Sequence, residues 1–259
     1  MSNYLTELFS LEGKTALVSG ASSGLGAYFA EVLAQAGARV IVAARRTDKL
    51  EILAEKIVNA GGTADVLAMD VTDPDSVEAA FRAVDELGGR LDILVNNAGI
   101  STRPGRFVDQ EESVWGQLLD VNLRGAWRVA RAAATRMRAQ QGGCIINTGS
   151  IYSLCTGIMK TDYNVSKVAL AQLSRNMALE LGRYGVRVNT LCPGYFASDI
   201  NAGEFATERG QEYIRRLVPQ RLGEYRELAG PLLLLASDAG SFVNGIDLPV
   251  DGGSLLNPV

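Results

Sequence analysis

A tyrosine, a lysine and a serine that lie close together in the sequence are the side chains best suited to acid–base chemistry. Tyr163 and Lys167 are four residues apart, so a helix over 162–183 would place them on one face, with Ser150 upstream. A free phenol has a pKa of about 10 and is a poor acid–base catalyst at neutral pH. A neighbouring ammonium group stabilises the phenolate and lowers that pKa, which suits the pair to proton transfer. The alternatives are an exposed helix pair and a turn serine.

Histidine is absent from all 259 residues of the chain. This excludes Ser-His-Asp and Cys-His nucleophilic machinery and imidazole zinc sites. Acid–base chemistry must therefore use Tyr, Lys, Asp or Glu. The three cysteines, Cys144, Cys155 and Cys192, have no metal-ligand spacing and form no disulfide framework. We expect reduced thiols and no metal site.

Composition predicts one domain over residues 1–259. Hydrophobic residues make up 47% of the chain, enough for one sizeable core, and α/β folds of this length are commonly single domains. The net charge of −4 argues against a nucleic-acid partner. There is no apolar run of about 18 residues, so we expect no membrane span. The first residues lack a basic region followed by an apolar run, so we expect no secretory signal and a cytoplasmic protein.

A glycine-rich turn follows the first predicted strand. Residues 14–19 are mostly apolar and run directly into a turn that contains Gly20, Gly24 and Gly26. A helical pattern comes next, and residues 39–43 indicate a second strand. Glycines let a backbone approach a diphosphate closely, and a helix N-terminus favours that anion. This βαβ setting predicts a nucleotide site, and a glycine turn without a ligand is the alternative.

Strands and helices continue to alternate along the chain. The pattern predicts an α/β fold, a doubly wound parallel sheet of about seven strands with helices on both faces. Further strands are expected at 63–69, 91–95, 143–148 and 186–191, and further helices at 48–60, 73–87, 112–140, 162–183 and 211–217.

Polar and glycine positions follow the ends of five predicted strands. They are Gly20, Asp70, Asn96, Ser150 and Pro193. Parallel strands end at the same edge of a sheet, and a doubly wound fold builds its ligand site there. We therefore expect these positions to converge on one site.

The same motifs, taken together, resemble those of the short-chain dehydrogenase/reductase family. The resemblance covers essentially the whole chain, with Ser19 where the family has Thr before the glycine turn. It implies a Rossmann fold and an NAD(P)-dependent oxidoreductase acting on CH–OH groups. The motifs are Gly20-x-x-x-Gly24-x-Gly26, Asp70, Asn96-Asn97-Ala98-Gly99, Asn122, Ser150, Tyr163-x-x-x-Lys167, Pro193-Gly194 and Asp251-Gly252-Gly253.

The resemblance implies four catalytic residues. Tyr163 would be the acid/base, and Lys167 would lower its pKa and bind the nicotinamide ribose. Ser150 would orient the substrate oxygen. Asn122 would hold a helix open around a proton-relaying water, although an ordinary polar residue on a long helix is the alternative. A protein that only senses the dinucleotide typically loses the Tyr or the Lys, and this chain keeps both.

The resemblance also implies the cofactor contacts. Asp70 and Val71 would lie beside the adenine, although Asp70 could also simply cap a helix. Asn97 would tie the fourth strand to its neighbour, and Ala98 and Gly99, with Asn96, would form the wall near the adenosine ribose. The full predicted set is Gly20, Ser22, Ser23, Gly24, Leu25, Gly26, Arg45, Asp70, Val71, Asn97, Ala98, Gly99, Tyr163, Lys167, Pro193, Gly194 and Ser198.

The end of the second strand predicts the choice of cofactor. An acidic residue there would bind the adenosine ribose and repel a 2′-phosphate. This chain has Ala44 at that position, followed by Arg45, and a guanidinium suits a phosphate dianion. We therefore predict NADP(H) over NAD(H), with a solvated arginine pair as the alternative.

The substrate is expected to be a small carbonyl or alcohol, covered by a lid at about 195–221. The sequence resembles both 3-oxoacyl-acyl-carrier-protein reductases and gluconate 5-dehydrogenases, so an acyl substrate and a sugar acid or polyol both stay open. An acidic acyl carrier would need a basic patch, and five arginines lie on the predicted helix at 112–140. In the family, that helix and the Tyr163 helix form the tetramer surface, so the resemblance implies a homotetramer.

Overall fold

The computed structural model describes residues 4–88, 90–197 and 202–256. Its centre is one seven-stranded sheet in which every pair of neighbouring strands is parallel. The strand order is β3-β2-β1-β4-β5-β6-β7. The strands are β1 (Thr15–Ser19), β2 (Arg39–Ala44), β3 (Thr63–Ala68), β4 (Ile93–Asn96), β5 (Gly143–Thr148), β6 (Val186–Pro193) and β7 (Asp247–Val250).

The chain reverses its direction across the sheet after β3. The first three strands run outward from β1, and the chain then crosses back so that β4 pairs with the other side of β1. In open parallel sheets, ligands bind at the carboxyl ends of the strands beside such a switch point. The predicted doubly wound α/β fold is confirmed, and the switch point lies between β1 and β4.

Ten helices in the described residues connect and cover these strands. None of them combines the length and the apolar character needed to cross a membrane. They are α1 (Tyr4–Phe9), α2 (Gly24–Gln35), α3 (Thr47–Asn59), α4 (Pro74–Glu86), α5 (Glu112–Leu119), α6 (Ala126–Gln140), α7 (Thr161–Leu181), α8 (Ala202–Phe205), α9 (Glu208–Arg216) and α10 (Ala229–Ala236).

Two apolar layers hold the helices against the sheet. Alternate residues of β1 point to opposite faces, so Ala16 and Val18 join one layer and Leu17 joins the other. The first layer packs α2, α3 and α10, and the second packs α4, α6 and α7. Because both faces are buried, the strands form a rigid platform for the loops at their carboxyl ends.

Strand β4 is shorter than the sequence predicted. It begins at Ile93 rather than at residue 91. Leu91 instead exchanges two backbone hydrogen bonds with the side-chain amide of Gln140, at 3.0 and 2.9 Å. A side chain from α6 thus replaces the neighbouring strand at this point.

The helices also differ from the sequence-based bounds. The long helix expected at 112–140 is interrupted by a π-helical segment, Asp120–Gly125, between α5 and α6. Helix α7 ends at Leu181 and continues as a 3₁₀ turn. The helix expected at 211–217 is α9, which begins earlier because the Thr207 hydroxyl caps it, accepting from the Gly210 N–H at 3.0 Å.

Candidate active site

Helix α7 brings Tyr163 and Lys167 to the end of β5. Lys167 is only 5% exposed, and its Nζ donates a 2.7 Å hydrogen bond to the carbonyl of Thr148, the last residue of β5. The same Nζ lies 5.5 Å from the centroid of the Tyr163 ring. The sheet edge therefore fixes the ammonium group beside the phenol.

Ser150 is the turn serine that the sequence analysis gave as the alternative, and it also lies beside Tyr163. It caps a 3₁₀ turn (Ile151–Ser153), where its Oγ accepts from the Tyr152 N–H at 3.2 Å. It also hydrogen-bonds the side chain of Tyr163. Ser153 connects this turn to α7, because its Oγ donates to the Lys167 carbonyl at 3.0 Å. The turn thereby holds the serine, the tyrosine and the lysine in one arrangement.

Burial shifts the pKa of each group in the direction that favours its neutral form. It raises the pKa of Tyr163 to about 12, although the hydrogen bond with Ser150 acts in the opposite direction. It lowers the pKa of Lys167 to about 8. The lowered phenol pKa that the sequence predicted is not observed in this arrangement, because desolvation outweighs the stabilisation of the phenolate.

The π-helical segment turns Asn122 inward. Its Oδ1 accepts from the Ile100 N–H at 2.8 Å, and its Nδ2 donates to the Ile100 carbonyl at 2.9 Å. Nδ2 also lies 3.3 Å from the Ser166 Oγ on α7. A Cβ added at Gly99 would lie 3.3 Å from Asn122 Oδ1 and 3.8 Å from Lys167 Nζ. Gly99 thus lies next to the side chains of both Asn122 and Lys167.

The glycine turn forms a close-fitting cradle at the start of α2. Gly20 has a φ of +68°, and a Cβ there would lie 2.7 Å from the Ala98 Cα. A Cβ on Gly26 would lie 2.4 Å from the Gly20 carbonyl oxygen. The first-turn N–H groups of α2 point out of the helix end toward this turn and favour an anion. The residues present therefore fit a dinucleotide diphosphate.

Ser19 and two asparagines join β1 to β4 beside the cradle. The Ser19 Oγ accepts from the N–H groups of Asn97 and Ala98 at 3.0 and 3.1 Å. The Asn97 side-chain amide donates to the Ser19 carbonyl at 3.3 Å. Asn96 donates across the sheet to Asn147 at 3.0 Å. The structure thus places Asn97 where the sequence expected a tie between strands. The side chain of Asn96 is buried and ties β4 to β5, whereas the sequence had placed this residue in the wall near the adenosine ribose.

An arginine that the sequence analysis considered only as one of a solvated pair contacts the glycine turn. The guanidinium of Arg46 donates to the hydroxyls of Ser22 and Ser23, both at 2.9 Å. The predicted residue, Arg45, instead lies 3.9 Å from the Asp70 carboxylate. Arg46 comes two residues after the end of β2, and this position is the only feature of the sequence that indicates a contact with the glycine turn.

Asp70 also has a structural role. Its Oδ1 accepts from the Thr72 N–H at 2.9 Å and from the Thr72 hydroxyl at 2.7 Å. Burial acts to raise the pKa of Asp70, but these hydrogen bonds and the charge of Arg45 bring it below its usual value. The cap of α4 is Asp73 rather than Asp70. Val71 is buried, and its side chain would lie 2.7 Å from a Cβ added at Gly125.

The remaining predicted contacts lie at the same edge of the sheet. Pro193 ends β6, and the Gly194 N–H donates to the Val250 carbonyl at 3.0 Å. Leu25 lies in the first turn of α2. Ser198 is outside the described residues. The structure therefore brings the described members of the predicted set together along the ends of β1 to β6.

Three further phenols extend from Tyr163 toward the predicted lid. The Tyr152 and Tyr163 rings are perpendicular, with centroids 6.2 Å apart. The Tyr152 hydroxyl lies 2.7 Å from the Tyr195 hydroxyl, which accepts from the Tyr213 hydroxyl at 2.5 Å. We call Tyr152, Tyr195 and Tyr213 the phenol cluster. The sequence analysis placed Tyr195 in the substrate pocket, but the three residues are far apart in sequence, so no spacing indicated that they would meet.

Comparisons with known proteins cover nearly the whole chain. A family model described as enoyl-(acyl carrier protein) reductase matches residues 20–254. The chain is 40% identical over 250 residues to an L-rhamnose 1-dehydrogenase (NAD(P)(+)) of Azotobacter vinelandii, covering 94% of this chain and 97% of the relative. It is 35% identical over 247 residues to the 3-oxoacyl-[acyl-carrier-protein] reductase FabG of Vibrio cholerae, covering 95% and 99%.

A solved structure also matches this chain over nearly its whole length. The fold matches that of a gluconate 5-dehydrogenase from Burkholderia cenocepacia, solved in complex with NADP and tartrate, with a TM-score of 0.93. The two chains are 36% identical, and the match covers 98% of this chain and 100% of the other.

Proposed function

Since the chain belongs to the short-chain dehydrogenase/reductase family and is an NAD(P)-dependent oxidoreductase acting on CH–OH or carbonyl groups, we propose that it prefers NADP(H) and uses Tyr163 to transfer the proton. The observation that carries the proposal is the contact of Ser150, Tyr163 and Lys167 at the end of β5. A non-catalytic dinucleotide sensor would not need these three side chains together.

The nicotinamide cofactor, when bound, accepts a hydride from the alcohol carbon or donates one to the carbonyl carbon. In the oxidation direction, Tyr163 must first lose its own proton against the raised pKa, and its phenolate then takes the hydroxyl proton while the C–O bond becomes a carbonyl. In the reduction direction, the Tyr163 hydroxyl returns that proton. Ser150, hydrogen-bonded to the tyrosine, orients the same substrate oxygen, and Lys167 places positive charge beside the phenolate that forms. Asn122 keeps the π-helical segment open next to Lys167.

We propose that the NADP(H) preference depends on Arg46 together with Arg45. Arg46 lies across the glycine turn with its guanidinium on Ser22 and Ser23, and Arg45 is 73% exposed at the neighbouring position. A 2′-phosphate beside the turn would gain two guanidinium partners and two hydroxyl donors. Several relatives and neighbours are described with NADP or with either cofactor.

The cofactor proposal is tested by kcat/KM for NADPH and NADH. We expect NADPH to be the better cofactor, and Arg46→Ala to raise its KM by about tenfold or more, because one charge-assisted contact to phosphate is lost. The KM for NADH should change by less than threefold, since NADH lacks the phosphate. A wild-type kcat/KM for NADH that equals or exceeds that for NADPH would contradict the proposal.

The catalytic proposal is tested by Tyr163→Phe, which keeps the ring and removes the hydroxyl. We expect kcat to fall by about 10²–10⁴-fold, the usual contribution of a general acid–base group. NADPH binding, measured by fluorescence enhancement, should persist. Turnover at the wild-type rate would remove Tyr163 from the mechanism.

We also propose a homotetramer that associates through α6 and α7. Trp127, Val165 and Val168 are exposed apolar side chains on these helices. A groove of about 400 Å³ lies beside them, lined by Leu123, Arg124, Trp127, Arg128 and Leu173. Burying such a surface against another copy is favourable. Light scattering should give four times the monomer mass of 27.6 kDa, and Trp127→Glu should lower that mass.

A cytoplasmic location is proposed because Cys144, Cys155 and Cys192 are free thiols.

A further inference from the structure

We propose that the phenol cluster is the substrate subsite for hydroxyl groups next to the reacting carbon, so that the substrate is a polyhydroxylated alcohol or ketone. This inference rests on the proposed function, because it places the reacting oxygen at Tyr163. It concerns three side chains, Tyr152, Tyr195 and Tyr213, that are outside the proposed proton-transfer machinery.

The cluster begins beside the catalytic phenol and ends on the predicted lid. Tyr152 packs edge-to-face on Tyr163, and its hydroxyl meets that of Tyr195 after β6. Tyr213 lies on α9 and packs against the Tyr195 ring, with centroids 5.2 Å apart. Phe205 of α8 covers both rings, at 6.4 Å from each. A substrate held at Tyr163 would therefore meet these hydroxyls with the carbons that flank its reacting carbon.

The main chain packs against the two inner members of the cluster. Gly157 lies against the hydroxyl end of the Tyr152 ring, where an added Cβ would be 2.3 Å from the ring atom Cε1. The Asn164 side chain holds that glycine by a 2.8 Å hydrogen bond to its carbonyl. The Tyr195 carbonyl accepts from the Gly223 N–H at 2.8 Å. Only Tyr213 comes from a helix of the lid region.

The central member of the cluster, Tyr195, offers a neutral hydroxyl. Burial, followed by the hydrogen bonds with Tyr152 and Tyr213, raises the pKa of Tyr195 above its usual value. A phenol can donate one hydrogen bond and accept others. A sugar or polyol hydroxyl can do both as well, and the ring faces can pack on its C–H groups.

An acyl chain is a poor match for this arrangement. Its alkyl tail has no donor or acceptor and its thioester carbonyl can only accept, so inserting it here would separate the phenols and leave most of them without replacement partners. The arginines that could receive an acidic acyl carrier are also partly occupied. Arg128 pairs with Asp120 at 3.2 Å, and Arg136 pairs with Asp85 at 2.5 Å. The structure therefore favours the polyhydroxylated alternative over the 3-oxoacyl one.

The test compares substrates across variants that lose only a hydroxyl. NADP⁺ reduction is measured with D-mannitol, L-rhamnose and D-gluconate, which separate a polyol, a sugar and a sugar acid. Cyclohexanol and a 3-hydroxybutanoyl thioester serve as substrates without neighbouring hydroxyls. The variants are Tyr195→Phe and Tyr213→Phe, with Tyr184→Phe as a control at a remote tyrosine.

We expect wild-type kcat/KM to be highest for a polyhydroxylated substrate. The ratio of that kcat/KM to the value for cyclohexanol should fall at least tenfold in Tyr195→Phe and in Tyr213→Phe, because a site built to bind a hydroxyl loses its discrimination when the partner is removed. The ratio should stay unchanged in Tyr184→Phe. Melting temperatures of all variants show whether folding is preserved.

Three outcomes decide between the possibilities. A wild type that turns over only cyclohexanol or the thioester overturns this inference and leaves the proposed function intact. An equal loss on every substrate shows that the cluster merely braces α9, and this also overturns the inference. No turnover of any of these alcohols, or of their ketones, with either cofactor overturns the proposed function itself.

Discussion

The cofactor end and the substrate end of the candidate active site are formed by different kinds of atoms. At the cofactor end, glycines and main-chain atoms determine the shape, and the Gly26 position leaves no room for a Cβ beside the Gly20 carbonyl. At the substrate end, side-chain rings and hydroxyls determine it, as in the contact of Tyr195 with Tyr213. A backbone cradle suits a ligand that never changes. Side chains can be exchanged one by one, so the same fold can accept different substrates.

This contrast predicts the largest effect for Gly26→Ala. The new methyl group would lie 2.4 Å from the Gly20 carbonyl oxygen and 2.5 Å from Asn97 Nδ2. Main chain must move to accommodate it, so we expect a loss of about 3 kcal/mol in the free energy of unfolding, at the upper end for overpacking. NADPH affinity should fall as well. Urea unfolding and fluorescence titration measure the two quantities.

The matched control for Gly26→Ala is Gly116→Ala in α5. A Cβ at Gly116 meets no atom within 4 Å in the part of the chain that the structure describes. This change should stabilise the protein by about 0.5–1 kcal/mol, because alanine favours the helix. Equal effects of the two substitutions would contradict the idea of a tight backbone cradle.

A smaller effect, with a specific pH dependence, is expected for Lys167. Its folded-state pKa is about 8, below the ordinary 10.5. Between these pH values the unfolded chain binds more protons than the folded one, so this lysine makes stability rise with pH. Wild type should gain about 2 kcal/mol relative to Lys167→Met between pH 7 and 9.5, at 1.36 kcal/mol per pKa unit. Urea unfolding at both pH values measures the difference.

The exposed residue Lys49 provides the control. Lys49→Met should follow the wild type at both pH values. Tyr163 and Cys192 next to Lys167 titrate higher, because burial raises their pKa values to about 12 and about 11. If the free energy of unfolding of Lys167→Met relative to wild type were constant from pH 7 to 9.5, the pKa of Lys167 would not be lowered in the folded protein.

The smallest effect on stability is expected for Gly157→Ala at the substrate end. The added methyl group meets the end of the Tyr152 ring, which can rotate away, so the free energy of unfolding should change by less than about 1 kcal/mol. The KM for the alcohol substrate should nevertheless rise, since Tyr152 moves, while the KM for NADPH stays the same. Gly142→Ala, where a Cβ meets no described atom within 4 Å, should change neither KM value.

Much of the fold follows from local sequence patterns. The apolar runs and the glycine turn predicted β1 and β2 within about one residue and a helix between them, because buried parallel strands and glycine turns have strong local signals. The convergence of Gly20, Ser150 and Pro193 followed from the rule that parallel strands end together. The roles assigned to these residues remain predictions, although their positions agree with them.

The features that sequence analysis did not predict depend on side chains meeting across the fold. Arg46 reaches the glycine turn from the next strand end, and the phenol cluster joins three separate segments. The sign of the Tyr163 pKa shift depends on how much water the fold removes, which no spacing reports. The π-helical segment was also unforeseen in its bounds, since the helical pattern at 112–140 contains no proline, although Gly116 and Gly125 lie within it.

The widened turn at Asp120–Gly125 has a consequence for engineering this protein. It corresponds to a one-residue insertion in an otherwise regular α-helix, and it directs the Asn122 side chain toward Ile100. Deleting one residue would restore a regular α-helical ladder with α5 and α6 close to their present orientation, and it would remove the widened turn that presents Asn122. Substitutions that make the segment from α5 to α6 more uniformly α-helical should therefore increase its rigidity while reducing turnover. A stabilised variant should leave the π-helical segment unchanged.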